Sequence, residues 1–212
     1  MGVCYIFAAA KGVPEKFKTC NSDLVIAADA GYKNLEKFGA SPDILIGDFD
    51  SLEVLPEKVK CLRYPVKKDD TDTMLAVKYG LKKGYETFVI YGGAGGRADH
   101  FLANLQTLNF IAANGGIGFL KGEDFSFITF ASKKVTFDEH LCGDISVFAT
   151  GEKCENVSIK GLLYEAEKIT LTPNFPLGVS NKFIGKKAEI SAQTGIVTVL
   201  FRGDISDVSV TL

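Results

Sequence analysis

No run of basic residues interrupts this sequence. Its lysines fall in separate pairs, Lys67 with Lys68, Lys82 with Lys83, Lys133 with Lys134 and Lys186 with Lys187, and the net charge is -2 with a pI near 5.8. That balance excludes the basic surface a nucleic acid needs. Also missing is an apolar stretch long enough to span a bilayer, and the N-terminus shows no charged region ahead of an apolar one and a cleavage site. A cytoplasmic protein without membrane contact is expected. Histidine is scarce: His100 and His140 are too far apart to form a histidine-rich metal site. The five cysteines, Cys4, Cys20, Cys61, Cys142 and Cys154, are odd in number and include no C-x-x-C pair. Reduced, buried thiols are expected, rather than a disulfide framework or a zinc site.

What is present is enough apolar residue, 46% of 212, to bury one or two cores. The first half alternates two kinds of segment. Strand-like apolar runs fall at Val3–Ala10, Leu24–Ala28, Ile44–Gly47, Lys60–Val66 and Thr87–Tyr91, the fourth expected near a sheet edge because Pro65 cannot donate to a ladder. Between them the sequence predicts helices over Tyr32–Phe38, closed by Gly39, and around Met74, Val77 and Leu81, closed by Gly84. A third helix carries Phe101, Leu105, Leu108 and Ala112 on one face, flanked by Leu102 and Ile111, and stops at Asn114-Gly115-Gly116. From Ile117 onward only short strand-like runs follow, from FSFITF to IVTVLF, separated by turn residues. The expected fold is therefore α/β followed by all-β: a mostly parallel, Rossmann-like N-terminal domain over residues 1–124, then an antiparallel β-sandwich over 125–212.

Chemistry concentrates at the carboxyl ends of the parallel strands, where open α/β sheets bind ligands. The second run ends at Asp29. The third, ILIGDFDS, delivers Asp48 and Asp50 one residue apart. A D-x-D taken alone is more often a solvated loop, but KKDDTD adds Asp69, Asp70 and Asp72 just ahead of a helix. The fifth run opens into Gly92, Gly93, Gly95 and Gly96, followed by Arg97 and Asp99. Short carboxylates suit a hard magnesium ion that shares its positions with substrate phosphates. A glycine loop opening a helix lets backbone amides approach a polyphosphate, and Arg97 adds a fork of donors. Each residue also has a plainer reading: Asp70, Thr71 or Asp72 as a helix cap, Asp99 as another, and Asn104 as a surface residue one turn beyond His100.

The segments AADAG (27–31), GDFDS (47–51), KDDTD (68–72), GGAGGRADH (92–100) with Asn104, and LGVSN (177–181) together resemble the thiamine pyrophosphokinase family, in order, from about residue 20 onward. The resemblance implies transfer of the pyrophosphoryl group of ATP to thiamine, in a homodimer whose active sites lie where the subunits meet. It implies that Asp29, Asp48, Asp50 and Asp72 bind magnesium, with Asp48, Asp50 and Asp72 catalytic. Nucleotide contacts would come from Lys68, Asp70, Thr71, Gly92, Gly93, Gly96, Arg97, Asp99, His100 and Asn104. Ser180 and Asn181 match the turn near thiamine. One departure is Ala30, where the family more often has glycine.

Other functions remain conceivable from the residues alone. A magnesium-dependent phosphohydrolase or nucleotide-sugar transferase also uses D-x-D. A haloacid dehalogenase would have Thr or Val where Leu52 stands, and a glycosyltransferase has no evident need of the glycine loop. A thiamine or nucleotide sensor would bind without turnover.

Overall fold

The computed structural model describes every residue except Met1, Ser51, Glu53, Val54, Glu57 and Leu212, so the last residue of the GDFDS segment lies outside the described residues. The chain is mixed α/β and divides into two compact units, Met1–Thr107 with Leu120–Glu123, and Leu108–Phe119 with Asp124–Leu212.

In the first unit the strands are β1 (Val3–Phe7), β2 (Leu24–Ala28), β3 (Ile44–Gly47), β4 (Lys60–Arg63) and β5 (Thr87–Tyr91). They pair in parallel in the order β5-β1-β2-β3-β4, with β4 at the edge ahead of Pro65. Their centres are unbroken apolar runs: Ile6, Phe7, Ile26, Leu45, Ile46 and Ile90 are all fully buried. Such continuity belongs to strands covered on both faces.

β1 is shorter than its apolar run suggests. Ala8, Ala9 and Ala10 leave the strand, and the carbonyls of Ala8 and Ala10 are taken by the Asn34 side chain at 2.8 and 2.9 Å. Helix α1 (Gly31–Glu36) begins one residue earlier than its periodicity implies, and Gly31 makes that start sterically feasible. A Cβ at this position would lie 1.8 Å from the Phe7 carbonyl oxygen. Helix α2 (Asp72–Lys82) is capped by Thr71, whose Oγ1 accepts from the Met74 amide at 3.1 Å. Its buried face runs Thr73, Ala76, Val77, Gly80 rather than through Met74 and Leu81. Small residues are required there because a Cβ on Gly80 would meet the Phe88 ring at 2.6 Å and Cys4 Sγ at 2.9 Å.

Helix α3 (Ala98–Ala113) is the longest. Its buried positions include Leu108, Ile111 and Ala112, but also the polar Asn104 and Thr107, whereas Leu102 is 62% exposed. Thr107 is satisfied by its own helix, donating from Oγ1 to the Ala103 carbonyl.

The strands β6 (Ile117–Lys121), β7 (Ser126–Ala131), β8 (Lys134–Phe137), β9 (Asp144–Ala149), β10 (Cys154–Lys160), β11 (Ala166–Leu171), β12 (Gly178–Lys182), β13 (Ala188–Ser191), β14 (Ile196–Phe201) and β15 (Val208–Thr211) complete the chain. In the second unit, β12-β9-β14-β7 and β11-β10-β13-β8-β15 are antiparallel arrays. Phe137 and Phe201 meet edge to face in its core, with ring centroids 5.1 Å apart. A buried hydroxyl ladder, Thr129 to Thr198 to Thr150, links β7 and β14 to the segment after β9, and Asn109 of α3 closes it.

All five cysteines are free thiols. Only Cys4 and Cys154 are buried, and burial pushes the Cys154 thiol up to about 11. Cys20 and Cys142 are exposed, contrary to the expectation of buried thiols, because both lie in irregular segments outside the strands.

Candidate active site

The carboxyl ends of β1, β2, β3 and β5 and the start of α2 open on a cavity of about 650 Å³. This is a volume typical of small-molecule sites.

Asp29, directly after β2, adopts a left-handed backbone (φ 45°) and its amide donates to the Ile46 carbonyl at 2.8 Å. Phe49, between the two aspartates of the D-x-D, is also left-handed (φ 67°). Its ring is 5% exposed, packs on Ala27 and Leu45, and lies under the Arg63 guanidinium at 5.3 Å. The buried ring holds the turn in a conformation a non-glycine residue seldom adopts. Asp48 Oδ1 then accepts the Asp50 amide at 3.2 Å. Carboxylate oxygens of Asp29, Asp48 and Asp50 lie within 4.8 Å of one another. Three hard oxygen donors at that separation fit a divalent cation such as magnesium, which would relieve their mutual repulsion.

Asp72 is outside that trio. Lys68 Nζ lies 2.8 Å from Asp72 Oδ1 and 3.4 Å from Asp48 Oδ2, an ammonium shared by two carboxylates. Asp48 is held below the usual carboxylate range by the Asp50 amide and by Lys68. Burial pushes Asp72 up, Lys68 partly offsets it, and the charges of Asp29 and Asp48 add to the rise. For Lys68, burial opposes the charge, but Asp72 and Asp48 outweigh it and raise the ammonium's pKa.

On the opposite wall, Gly92 has φ 65°, and a Cβ there would come within 2.3 Å of the Ala8 carbonyl oxygen. Asn104 is buried and donates from Nδ2 to the Gly93 carbonyl at 2.7 Å, so it supports the loop from behind. Arg97 forks onto Asp99 at 3.1 and 2.6 Å, holding the Asp99 carboxyl at about 2. Asp70 is paired with Lys78 at 2.7 Å.

Of the residues the sequence singles out, Asp29, Asp48, Lys68, Asp70, Thr71, Asp72, Gly92, Gly93, Gly96, Arg97, His100 and Asn104 line the cavity, while Asp50 and Asp99 stand outside its lining. Lining residues the sequence did not single out include Ala8, Ala9, Ala10, Val66 and Thr73. The alanines gave no separate signal, because in sequence they continue the apolar run that begins at Val3.

Ser180 and Asn181 belong to the second unit, on β12. Ser180 is left-handed (φ 63°), its amide donating to Ser146 Oγ at 3.1 Å. Asn181 is 5% exposed. Its Oδ1 accepts from the Tyr164 and Lys182 amides, both at 2.9 Å, and its Nδ2 donates to the Tyr164 carbonyl at 2.7 Å. These bonds make Asn181 a clamp on the segment around Tyr164, itself 65% exposed.

Two family models match consecutive parts of the chain: thiamin pyrophosphokinase, catalytic domain, over residues 18–116, and thiamin pyrophosphokinase, vitamin B1 binding domain, over residues 127–197. A thiamine pyrophosphokinase of Bacillus subtilis is 29% identical over 185 residues, covering 84% of this chain and 86% of its own. The crystal structure of thiamine pyrophosphokinase from Bacillus subtilis has the same fold, with a TM-score of 0.78 at 24% identity over 96% of this chain and 99% of that one. Yeast thiamin pyrophosphokinase matches with a TM-score of 0.67 at 15% identity, over 95% of this chain and 86% of that one.

Proposed function

The chain belongs to the thiamin pyrophosphokinase family, and from that premise we propose a direct transfer of the pyrophosphoryl group of ATP to the hydroxyl of thiamine, with AMP leaving. The observation that carries this reading is the cavity that faces the carboxylates of Asp29 and Asp48 with the glycine loop Gly92–Gly96. An ordinary apolar pocket has no use for so many like charges opposite open backbone amides.

Residues 1–124 form the catalytic domain, Rossmann-like in design, and residues 125–212 a β-sandwich that binds thiamine. Asp29, Asp48 and Asp50 hold magnesium, with Asp72 completing the acidic wall. Bound there, magnesium supplies positive charge against the phosphate oxygens. The amides of Gly93 and Gly96 receive the polyphosphate, Gly92 shaping the loop with its own amide on the Gly12 carbonyl, and Arg97 exchanges its fork on Asp99 for phosphate oxygens. Lys68 turns from the acids to the phosphates, while Asp70, Thr71, His100 and Asn104 fix the nucleotide's surroundings.

The thiamine hydroxyl attacks the β-phosphorus as the bond from that phosphorus to the α-phosphate oxygen breaks, and AMP departs with the bonding pair. Positioning and charge stabilisation supply most of the acceleration. The hydroxyl proton needs an acceptor. Asp48, held ionised by the Asp50 amide and Lys68, suits charge-holding, whereas Asp72, made more basic by burial, suits the proton.

Ser180 and Asn181 mark the thiamine side, where Tyr164 offers an exposed ring to a flat cationic substrate. Phe175, Leu177, Val179 and Ile184 are exposed on the same unit, apolar surface that a second subunit would cover in a homodimer with active sites where subunits meet. A cytoplasmic location accords with the free thiols, and no helix among the described residues is long and apolar enough to cross a membrane.

Incubation with ATP, magnesium and thiamine tests the reading. AMP and thiamine pyrophosphate are expected in equal amounts. ADP would make it an ordinary kinase, and no nucleotide product would leave only a binding protein.

A further inference from the structure

Asn34 sits on α1, 5% exposed, and carries no charge, yet it bonds two backbone carbonyls next to the cavity. Its Nδ2 donates to the carbonyls of Ala8 at 2.8 Å and Ala10 at 2.9 Å. Its Oδ1 accepts from Lys37 Nζ at 2.9 Å. A side-chain amide has two N–H donors, and both are directed at one three-residue strap of chain. Lys37, which can only donate, fixes the orientation of the amide by occupying its oxygen.

The strap is the support of the glycine loop. The Ala8 amide donates to the Tyr91 carbonyl and the Ala10 amide to the Gly92 carbonyl, both at 2.8 Å, and the Gly92 amide donates to Gly12 at 3.1 Å. The two carbonyls held by Asn34 are those a Cβ on Gly92 would strike, at 2.3 and 2.7 Å. Strap and loop therefore touch backbone to backbone, and a shift of one moves the other. The strap is also thin. Ala9 and Ala10 line the large cavity on one side and, with Asn34 and Lys37, a second cavity of about 350 Å³ on the other. With open space on both sides, the amide of Asn34 does what core packing does elsewhere.

We propose that Asn34 is a positioning residue for the donor polyphosphate. Through the two strap carbonyls it holds the loop amides that follow Gly92, those of Gly93 to Gly96, in register with the phosphates, and Lys37 keeps its donors aimed at the strap. This rests on the reading that the glycine loop receives the phosphates of ATP.

The test is steady-state kinetics of Asn34→Ala and Lys37→Met, together with the Kd for a nonhydrolysable ATP analogue. Asn34→Ala should raise the KM for ATP and the analogue Kd about tenfold, the scale seen when a supporting hydrogen bond behind a binding group is lost, and leave the KM for thiamine within about twofold. Lys37→Met alters an exposed side chain, so it keeps the fold and should shift ATP in the same direction by about threefold. It carries the test if Asn34→Ala does not fold. A role confined to stability would lower Tm and leave the ATP constants of the folded variants unchanged, which overturns the proposal, as does an equal rise for both substrates. Arg97→Ala separates the two levels. If it weakens ATP while Asn34→Ala does not, the inference about Asn34 fails alone. If neither variant changes ATP binding, the phosphate reading of the loop fails and takes the inference with it.

Discussion

Lys68 Nζ lies 2.8 Å from Asp72 Oδ1, a lysine and an aspartate one helical turn apart in sequence that meet inside the cavity. Burial raises the Asp72 pKa and Lys68 restrains the rise. If Asp72 accepts the hydroxyl proton, kcat falls as pH drops through its pKa, which lies above the ordinary carboxylate value. Lys68→Met removes the restraint, so the acid limb of the kcat profile should move to higher pH. An acid limb that stays in place, with turnover still measurable, would take Asp72 out of the proton's path.

Asp72→Asn and Asp50→Asn should fail differently. Because the folded-state pKa of Asp72 is raised, its ionised form is disfavoured by folding. That cost is absent below the unfolded value and complete once pH has risen through the folded value. Asp72→Asn should therefore melt no lower than the parent at pH 7 while losing turnover. Asp50→Asn removes one member of the carboxylate trio and should weaken magnesium binding at least tenfold, read by calorimetry. Equal magnesium affinity in the parent and Asp50→Asn would dissolve the proposed metal site.

Two glycines with similar roles in the sequence should differ sharply in tolerance. Gly31→Ala sets a Cβ 1.8 Å from the Phe7 carbonyl oxygen, a backbone clash that α1 cannot relieve without leaving the sheet. A loss of about 4 kcal/mol or more is expected. Gly39 is left-handed (φ 63°) but faces open space, so Gly39→Ala should lose only about 1 kcal/mol. Urea unfolding of both variants measures the gap, and similar midpoints would contradict the close approach at Gly31.

Much of this was legible in the sequence for a physical reason: parallel strands buried on both faces read as unbroken apolar runs, and their acidic ends stand out against them. Asp48 and Asp50 could be placed from ILIGDFDS because a strand end and a glycine turn are local events. The strap was not legible. Ala8–Ala10 continues an apolar run, and only the distant Asn34 amide, 26 residues on, removes it from the strand. Likewise the buried face of α2 turns toward Gly80 because Phe88 and Cys4 fill the space beside it, a packing fact no helical period contains. The pairing of Asp72 with Lys68 rather than with the other acids is a matter of side-chain reach across the cavity.

His140 bears on stability rather than on chemistry. Its Nδ1 lies 2.8 Å from Asp138 Oδ1 and its Nε2 3.4 Å from Asp207 Oδ1, tying the end of β8 to the turn before β15. The hydrogen bond that the His140 ring donates to the Asp138 carboxylate raises the His140 pKa, and the same contact lowers that of Asp138. The histidine's contribution is complete below its unfolded value of about 6.5 and is lost as pH rises through the higher folded value. That of Asp138 is present above its unfolded value and lost as pH falls through the lower folded one. Denaturation midpoints should therefore decline from pH 6 to 8.5 in the parent more than in His140→Gln. Parallel declines would show that this contact is too exposed to matter.

Asn181 and Ser180 are neighbours in one sequence motif but should separate by experiment. The Asn181 amide makes three bonds to backbone at Tyr164 and Lys182 from a buried position, so Asn181→Ala strands backbone groups that water reaches poorly. It should lose about 1–3 kcal/mol of stability. Because the clamp sets the position of Tyr164, the KM for thiamine should rise well beyond that for ATP. Ser180→Ala leaves the backbone bond to Ser146 in place and should scarcely alter stability, so any rise in its thiamine KM reports a direct contact of the hydroxyl. If Asn181→Ala loses stability and the two KM values rise together, the clamp is structural only and the thiamine turn lies elsewhere. If Tyr164→Ala reproduces the thiamine defect at full stability, the exposed ring is the part of the clamp that meets the substrate.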